Sequence, residues 1–126
     1  MTSSVTKTKY PIICAPMNGV SDVNLAIACS NSGIVASLVL YNYTINGKVD
    51  LNLLEQSLSE YTTKTNFGTL LIACELNDLL DIAFQTLLIK YKVSFVEVLD
   101  CEKHNAQEIY NQYLSLNTKG IIIYPN

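Results

Sequence analysis

The sequence predicts an α/β fold in which about five parallel strands alternate with four helices. Three observations carry this. Five short apolar runs rich in β-branched residues recur along the chain: Pro11–Met17, Ile34–Leu40, Thr69–Cys74, Val93–Leu99 and Gly120–Tyr124. Most are apolar throughout rather than alternating, the pattern of strands buried on both faces of a parallel sheet. Helical patterns fill the intervals, and the strand starts recur about every 27 residues, enough chain for a βαβ crossover.

Each element has its own signal. Residues 1–9 (MTSSVTKTK) are polar, lack apolar periodicity and read as a loose arm, leaving 10–126 as the domain. The first strand stops at Pro16, which has no amide donor, and Gly19 in the turn Met17-Asn18-Gly19 permits a positive φ. Ser21 is placed to cap a helix running to about Ser32, with Asp22 in its positive first turn and Gly33 as its stop. After the strand at 34–40 comes the polar connection Asn42–Lys48, whose Asn46-Gly47 pair reads as a turn. Its place after a strand makes it a candidate lid, with a plain surface turn as the alternative.

Asp50 caps the second helix, where Leu51, Leu54, Leu58 and Tyr61 share one face. Asn77 precedes a third helix with the stripe Leu80, Ala83, Phe84, Leu87 and Tyr91. Glu97 lies inside the strand at 93–99 and needs a partner if it points into the core. Asn105 with Glu108 resembles a capping box for the fourth helix, whose Ile109, Tyr113 and Leu116 share a face before Lys119-Gly120 ends it.

Composition narrows the function classes. At 49% hydrophobic and 15% charged the chain is too apolar for disorder, and its 126 residues suit one core. Eight scattered Lys and Arg within a net charge of −3 argue against a nucleic-acid partner. No apolar stretch approaches the roughly 18 residues of a membrane span, and no charged start precedes an apolar leader. A cytoplasmic protein is expected. Cys14, Cys29, Cys74 and Cys101 form no CxxC pair and have only His104 as a companion ligand. They therefore read as reduced cysteines filling the interior rather than as a metal site or disulfide framework.

Familiar catalytic signatures are missing: no GxGxxG, no Walker-type loop and no GxSxG elbow. His104 has the intrinsic pKa of a general base, or is simply a solvated loop histidine. Glu75 and Asp100 end strands, where paired carboxylates do acid–base work or hold a cation, although loop acids are common without function. The informative stretch is Tyr10–Leu40. Its strand end and turn offer main chain to a flat ligand, and equally make an ordinary βα turn.

That stretch resembles the amino-terminal end of the flavin-dependent nitronate monooxygenases, the former 2-nitropropane dioxygenases. The matching residues are Pro11-Ile12-Ile13, Ala15-Pro16-Met17, Gly19-Val20-Ser21, Leu25-Ala26 and Ser30-Asn31-Ser32-Gly33. Phe67-Gly68 fits the family's lead-in to its third strand. The resemblance implies a partial (β/α)8 TIM barrel, an oxidoreductase cofactor in FMN, and a cofactor-binding turn of Ala15, Pro16, Met17, Asn18 and Gly19. Ala15–Asp22 is also similar to the Ala-Pro-Met-x-Gly-Val-x-Asp motif of tRNA-dihydrouridine synthases, whose following Pro-Phe-Arg is Val23-Asn24-Leu25 here.

Departures from the family pattern bear on activity. Leu38-Val39-Leu40-Tyr41 replaces strand-end glycines, and Leu70 follows Phe67-Gly68-Thr69 where the family carries asparagine. The family's catalytic histidine and phosphate clamp lie beyond its fifth strand and have no counterpart in these 126 residues; His104 does not occupy the catalytic position. The expectation is a partial flavin barrel not catalytically competent alone. The alternatives are a non-catalytic α/β binding or assembly protein and a dihydrouridine-synthase-like fragment. At about 27 residues per unit a full barrel needs roughly 215 residues. An open half-barrel would expose strand edges and interior, so a second chain or self-association is expected to cover them.

Overall fold

The apolar runs pair side by side in the order in which they occur. In the computed structural model, which describes residues 8–10, 12–65, 69–101, 107, 111 and 120–125, four of them form one parallel sheet. Its strands are β1 (Ala36–Val39), β4 (Leu70–Cys74), β5 (Phe95–Cys101) and β6 (Gly120–Pro125), in the order β1-β4-β5-β6. Between β1 and β4 lie a 3₁₀ turn (Leu40–Tyr43), a hairpin of β2 (Thr44–Ile45) and β3 (Lys48–Val49), and helix α2 (Leu51–Lys64). The other helices are α1 (Val23–Asn31), α3 (Leu76–Leu79) and α4 (Ile82–Lys90). The chain is thus a mixed α/β protein with a parallel sheet.

The first predicted strand is reduced to one parallel bridge, Ile13 with Val35. The Val35 amide donates to Ile12 O at 2.8 Å, and the Cys14 amide to Val35 O at 3.0 Å. Continuing that ladder would require the Pro16 amide to donate to Ser37 O, and proline has no N–H. The Ser37 hydroxyl instead donates to Cys14 O at 2.6 Å, closing the ladder with a side chain. The side chains of Ile12 and Ile13 at this bridge are 53% and 43% exposed. Residues 8–10 are not loose: Thr8 is buried, and the Tyr10 amide donates to Gly33 O at 2.9 Å.

Register explains the two faces. Side chains alternate along a strand, so Leu38, Ile72, Val96 and Val98 share one cluster with Ala26, Leu54, Leu58, Phe84 and Leu88 from the helices. On the opposite face Ser37 aligns with Leu71 and Leu71 with Phe95, while Val39 aligns with Ala73 and Ala73 with Glu97. All six are buried. These six form the second face of the sheet, and Val39 and Ala73 carry it to the strand ends.

Helix boundaries follow carboxylates. Asp22, rather than Ser21, is the N-cap of α1, accepting from the Leu25 amide at 2.8 Å. Ser21 is occupied one residue earlier, where its hydroxyl accepts from the Met17 amide. The helix stops before Gly33, whose φ of +88° suits glycine. Asp50 caps α2 as expected, accepting from the Asn52 and Leu53 amides, and Leu54, Leu58 and Tyr61 are buried.

The third helix is corrected to two, with Asn77 inside the first of them. Glu75 and Asp78 form a capping box for α3, and Asp81 restarts the chain as the N-cap of α4, accepting from the Ala83 amide at 2.8 Å. Gln85 Nε2 donates to Leu79 O across the break at 2.7 Å. Phe84, Leu87 and Leu88 are buried, whereas Ala83 is exposed. Asp100 lies within β5 instead of opening a loop. Gln107 and Asn111 are helical; Phe67, Gly68, His104, Asn105, Glu108, Ile109, Tyr113 and Leu116 lie outside the described residues. Cys29 and Cys74 are buried and Cys14 half-buried, all as free thiols. No described helix is long and apolar enough to cross a membrane.

One ion pair joins α2 to α4. Lys90 Nζ lies 2.6 Å from Glu55 Oε2, which also accepts from the Tyr91 hydroxyl at 2.9 Å. The Lys90 hydrogen bond, then that of Tyr91, holds the Glu55 carboxyl below its ordinary pKa. A carboxylate depressed in the folded state adds stability above its unfolded pKa, lost as pH falls through the folded value. Thermal melts of the wild type are expected to fall more steeply below the unfolded carboxylate pKa than those of E55Q. Both partners are solvent-facing, so the difference is small.

Candidate strand-end cleft

The carboxyl ends of β1, β4 and β5 open onto a cleft of about 490 Å³, the side of a parallel sheet where ligands bind. Val39, Ala73, Cys74 and Leu99 line it from the strands. The 42–48 connection proves to be the turn-and-hairpin wall of this cleft, contributing Thr44 and Gly47, with Tyr41 just before it and Val49 just after. Asn46 and Gly47 have φ of 52° and 79°, the positive pair of a two-residue hairpin that Asn-Gly sequences favour.

Of the five residues expected to bind cofactor, Asn18 alone lines this cleft. Gly19 lines a neighbouring hollow of about 340 Å³, together with Ser21, Asn42, Tyr43 and Ser57. Burial, with the negative charges of Asp22 and Glu60 adding to it, pushes the Tyr43 hydroxyl above its ordinary pKa and keeps it protonated there. Ala15 and Met17 are exposed and Pro16 half-buried, without lining either space.

The turn is held by groups of its own chain. The Met17 amide donates to Ser21 Oγ at 2.8 Å, and Met17 O accepts from the Val20 and Ser21 amides. Asn42 performs the long-range anchoring. Its Oδ1 accepts from the Gly19 amide at 2.7 Å, and its Nδ2 donates to Ser21 O at 3.0 Å and Met17 O at 3.4 Å. Asn42 is the residue that sequence reasoning missed, although it begins the stretch singled out as a lid. These bonds use the Met17 and Gly19 amides internally. Among the described residues, the Ala15 and Asn18 amides donate to no protein group.

Charge divides the cleft's chemistry. Glu75 and Asp78 line it, and among the described residues no Lys, Arg or His does. Glu97, 5% exposed, stands in the same cross-strand row as Val39 and Ala73 and engages a neighbouring group. Among the described residues, no cluster of three or more His, Cys, Asp or Glu is arranged to hold a metal ion. For FMN the fit is split. The cleft's volume and its apolar Val39, Ala73 and Leu99 suit a flat ring, whereas the carboxylates of Glu75 and Asp78 in its described lining do not suit its phosphate. Neither protein-family models nor curated proteins match the chain.

Proposed function

We propose that this chain is part of an FMN-type (β/α)8 barrel related to the nitronate monooxygenases, and that the strand-end cleft receives the flavin ring. The observation that carries the reading is the position of Asn18. It follows the Ala15-Pro16-Met17 turn and lines a cleft at the carboxyl ends of parallel strands ordered as in the sequence. Flavin, where bound, supplies the redox chemistry of such proteins. This chain's part is orientation: apolar side chains from β1, β4 and β5 meet the ring, and the Ala15 and Asn18 amides offer it hydrogen bonds.

The described lining offers the phosphate no grip, because Glu75 and Asp78 repel it. That same acidic lining favours the second reading, a non-catalytic ligand-binding protein descended from such a barrel. A second chain or second copy is proposed along the outer edge at Ile12 and Ile13, where exposed apolar residues flank an unextended ladder.

Purified protein is mixed with FMN or riboflavin, desalted, and read by visible absorbance and flavin fluorescence. Retention of both is expected, with riboflavin binding at least as tightly as FMN, and V49W, which narrows the cleft, losing both. Protein that retains neither overturns the flavin reading. Markedly tighter FMN binding overturns the assignment of the phosphate.

A further inference from the structure

Cys14 and Cys29 stand 15 residues apart in sequence, yet their main chains are pinned to adjacent residues. The Cys14 amide donates to Val35 O at 3.0 Å, and Cys29 O accepts from the Ile34 amide at 3.2 Å. Cys14 leaves the edge segment toward the α1 side of the sheet, where it packs against the cluster containing Ala26 and Cys29. Both are free thiols, with Cys29 buried and Cys14 half-buried. Cys74, the other described cysteine, belongs to β4.

We infer that Cys14 and Cys29 form a thiol pair that closes into a disulfide when the chain meets a disulfide oxidant such as oxidised glutathione. The half-buried Cys14 is the entry point. Its sulfur attacks one sulfur of oxidised glutathione, breaking that S–S bond; one glutathione leaves as thiolate and takes up the proton lost from Cys14. The Cys29 sulfur then attacks the Cys14 sulfur of the mixed disulfide. The second glutathione leaves, taking up the proton from Cys29. Two protein thiols are oxidised and one glutathione disulfide is reduced to two thiols, so atoms and electrons balance.

The order of the two attacks follows from the surroundings. Burial, reinforced by the neighbouring Cys14 thiol, pushes the Cys29 thiol up to about 11, which keeps it protonated and slow as a first nucleophile. Once Cys14 carries a glutathione, Cys29 needs no access to solvent, because its target is already beside it. The bond would staple the edge segment to the last turn of α1. That segment runs directly into Ala15–Gly19, so closure stiffens one side of the cleft whatever ligand the cleft takes.

The test is a peptide map of the full chain after incubation with oxidised glutathione and alkylation of the remaining thiols. No Lys or Arg lies between Lys9 and Lys48, so a tryptic digest keeps both cysteines in one peptide, whereas cleavage before Asp22 separates them. The expected product of cleavage before aspartate is residues 1–21 joined to residues 22–49, lighter than the two reduced peptides by two hydrogens and released by reductant. The C29S chain is expected to stop at the first step, with glutathione held on Cys14. Alkylation of both wild-type cysteines overturns the inference. So does glutathione stably retained on Cys14 of the wild type, or a link from Cys29 to any other cysteine. The wild-type map needs no variant, so a C29S chain that fails to fold leaves the test intact.

Discussion

Replacing Phe84 with alanine lowers the unfolding free energy by about 3–5 kcal/mol. Phe84 is 1% exposed and belongs to the cluster that joins α4 to the helix-facing side chains of the sheet, Leu70, Ile72, Val96 and Val98. Removing the ring forfeits its transfer free energy and leaves a cavity among neighbours fixed on three elements, which collapse only partly. Folded domains of this size are stable by about 5–15 kcal/mol, so the loss removes a large fraction of the total. Ile82, two residues earlier on the same helix, is 78% exposed, and I82A is expected to change stability by less than about 0.5 kcal/mol. Urea midpoints of the two variants measure the contrast. Equal losses would show that α4 does not dock through Phe84.

The parallel sheet was legible because strands buried on both faces must be apolar throughout, as Leu70–Cys74 is. Asp50, Asn46-Gly47 and Gly33 were legible because each answers a local backbone need: an unpaired helix amide, a positive φ, a helix stop. Features that depend on a distant partner were not. Nothing local says that Pro16 falls where the ladder needs an amide opposite Ser37; the register with Val35 decides it. Ser21 and Asp22 are both good caps, and the choice between them was made when the Met17 amide claimed the Ser21 hydroxyl. The split of the third helix lay within reach, since Glu75, Asp78 and Asp81 are spaced to cap twice, but a continuous apolar stripe concealed it.

The site was legible to a similar degree. Asn18 was identified with its turn, and the hairpin wall was recognised as a polar connection after a strand. The join between them was not, because Asn42 meets Gly19 across 23 positions of sequence. The acidic character of the cleft also escaped notice. Glu75 is visible at a strand end, but Asp78 reaches the same space through the first turn of α3.

That join is where a single substitution should disturb the site most. N42A removes the acceptor of the Gly19 amide and the donor to Met17 O and Ser21 O, at a cost of about 1–2 kcal/mol because water replaces part of what is lost. Exchange of the Gly19 amide with solvent is expected to accelerate at least about tenfold, while amides in β4 and β5 change only with global stability. N42D separates the two halves of the contact. Its carboxylate still accepts from Gly19 but cannot donate, and it places negative charge beside two carbonyl oxygens, those of Met17 and Ser21. Those neighbours favour the protonated acid, so the introduced group has a raised pKa in the folded state. Its protonated form regains a donor, and N42D should therefore recover stability toward the wild type as pH falls through that raised pKa, whereas N42A should not. Parallel behaviour of the two variants across that range would mean that the amide donor of Asn42 contributes nothing, and that the turn is held through the Gly19 amide alone.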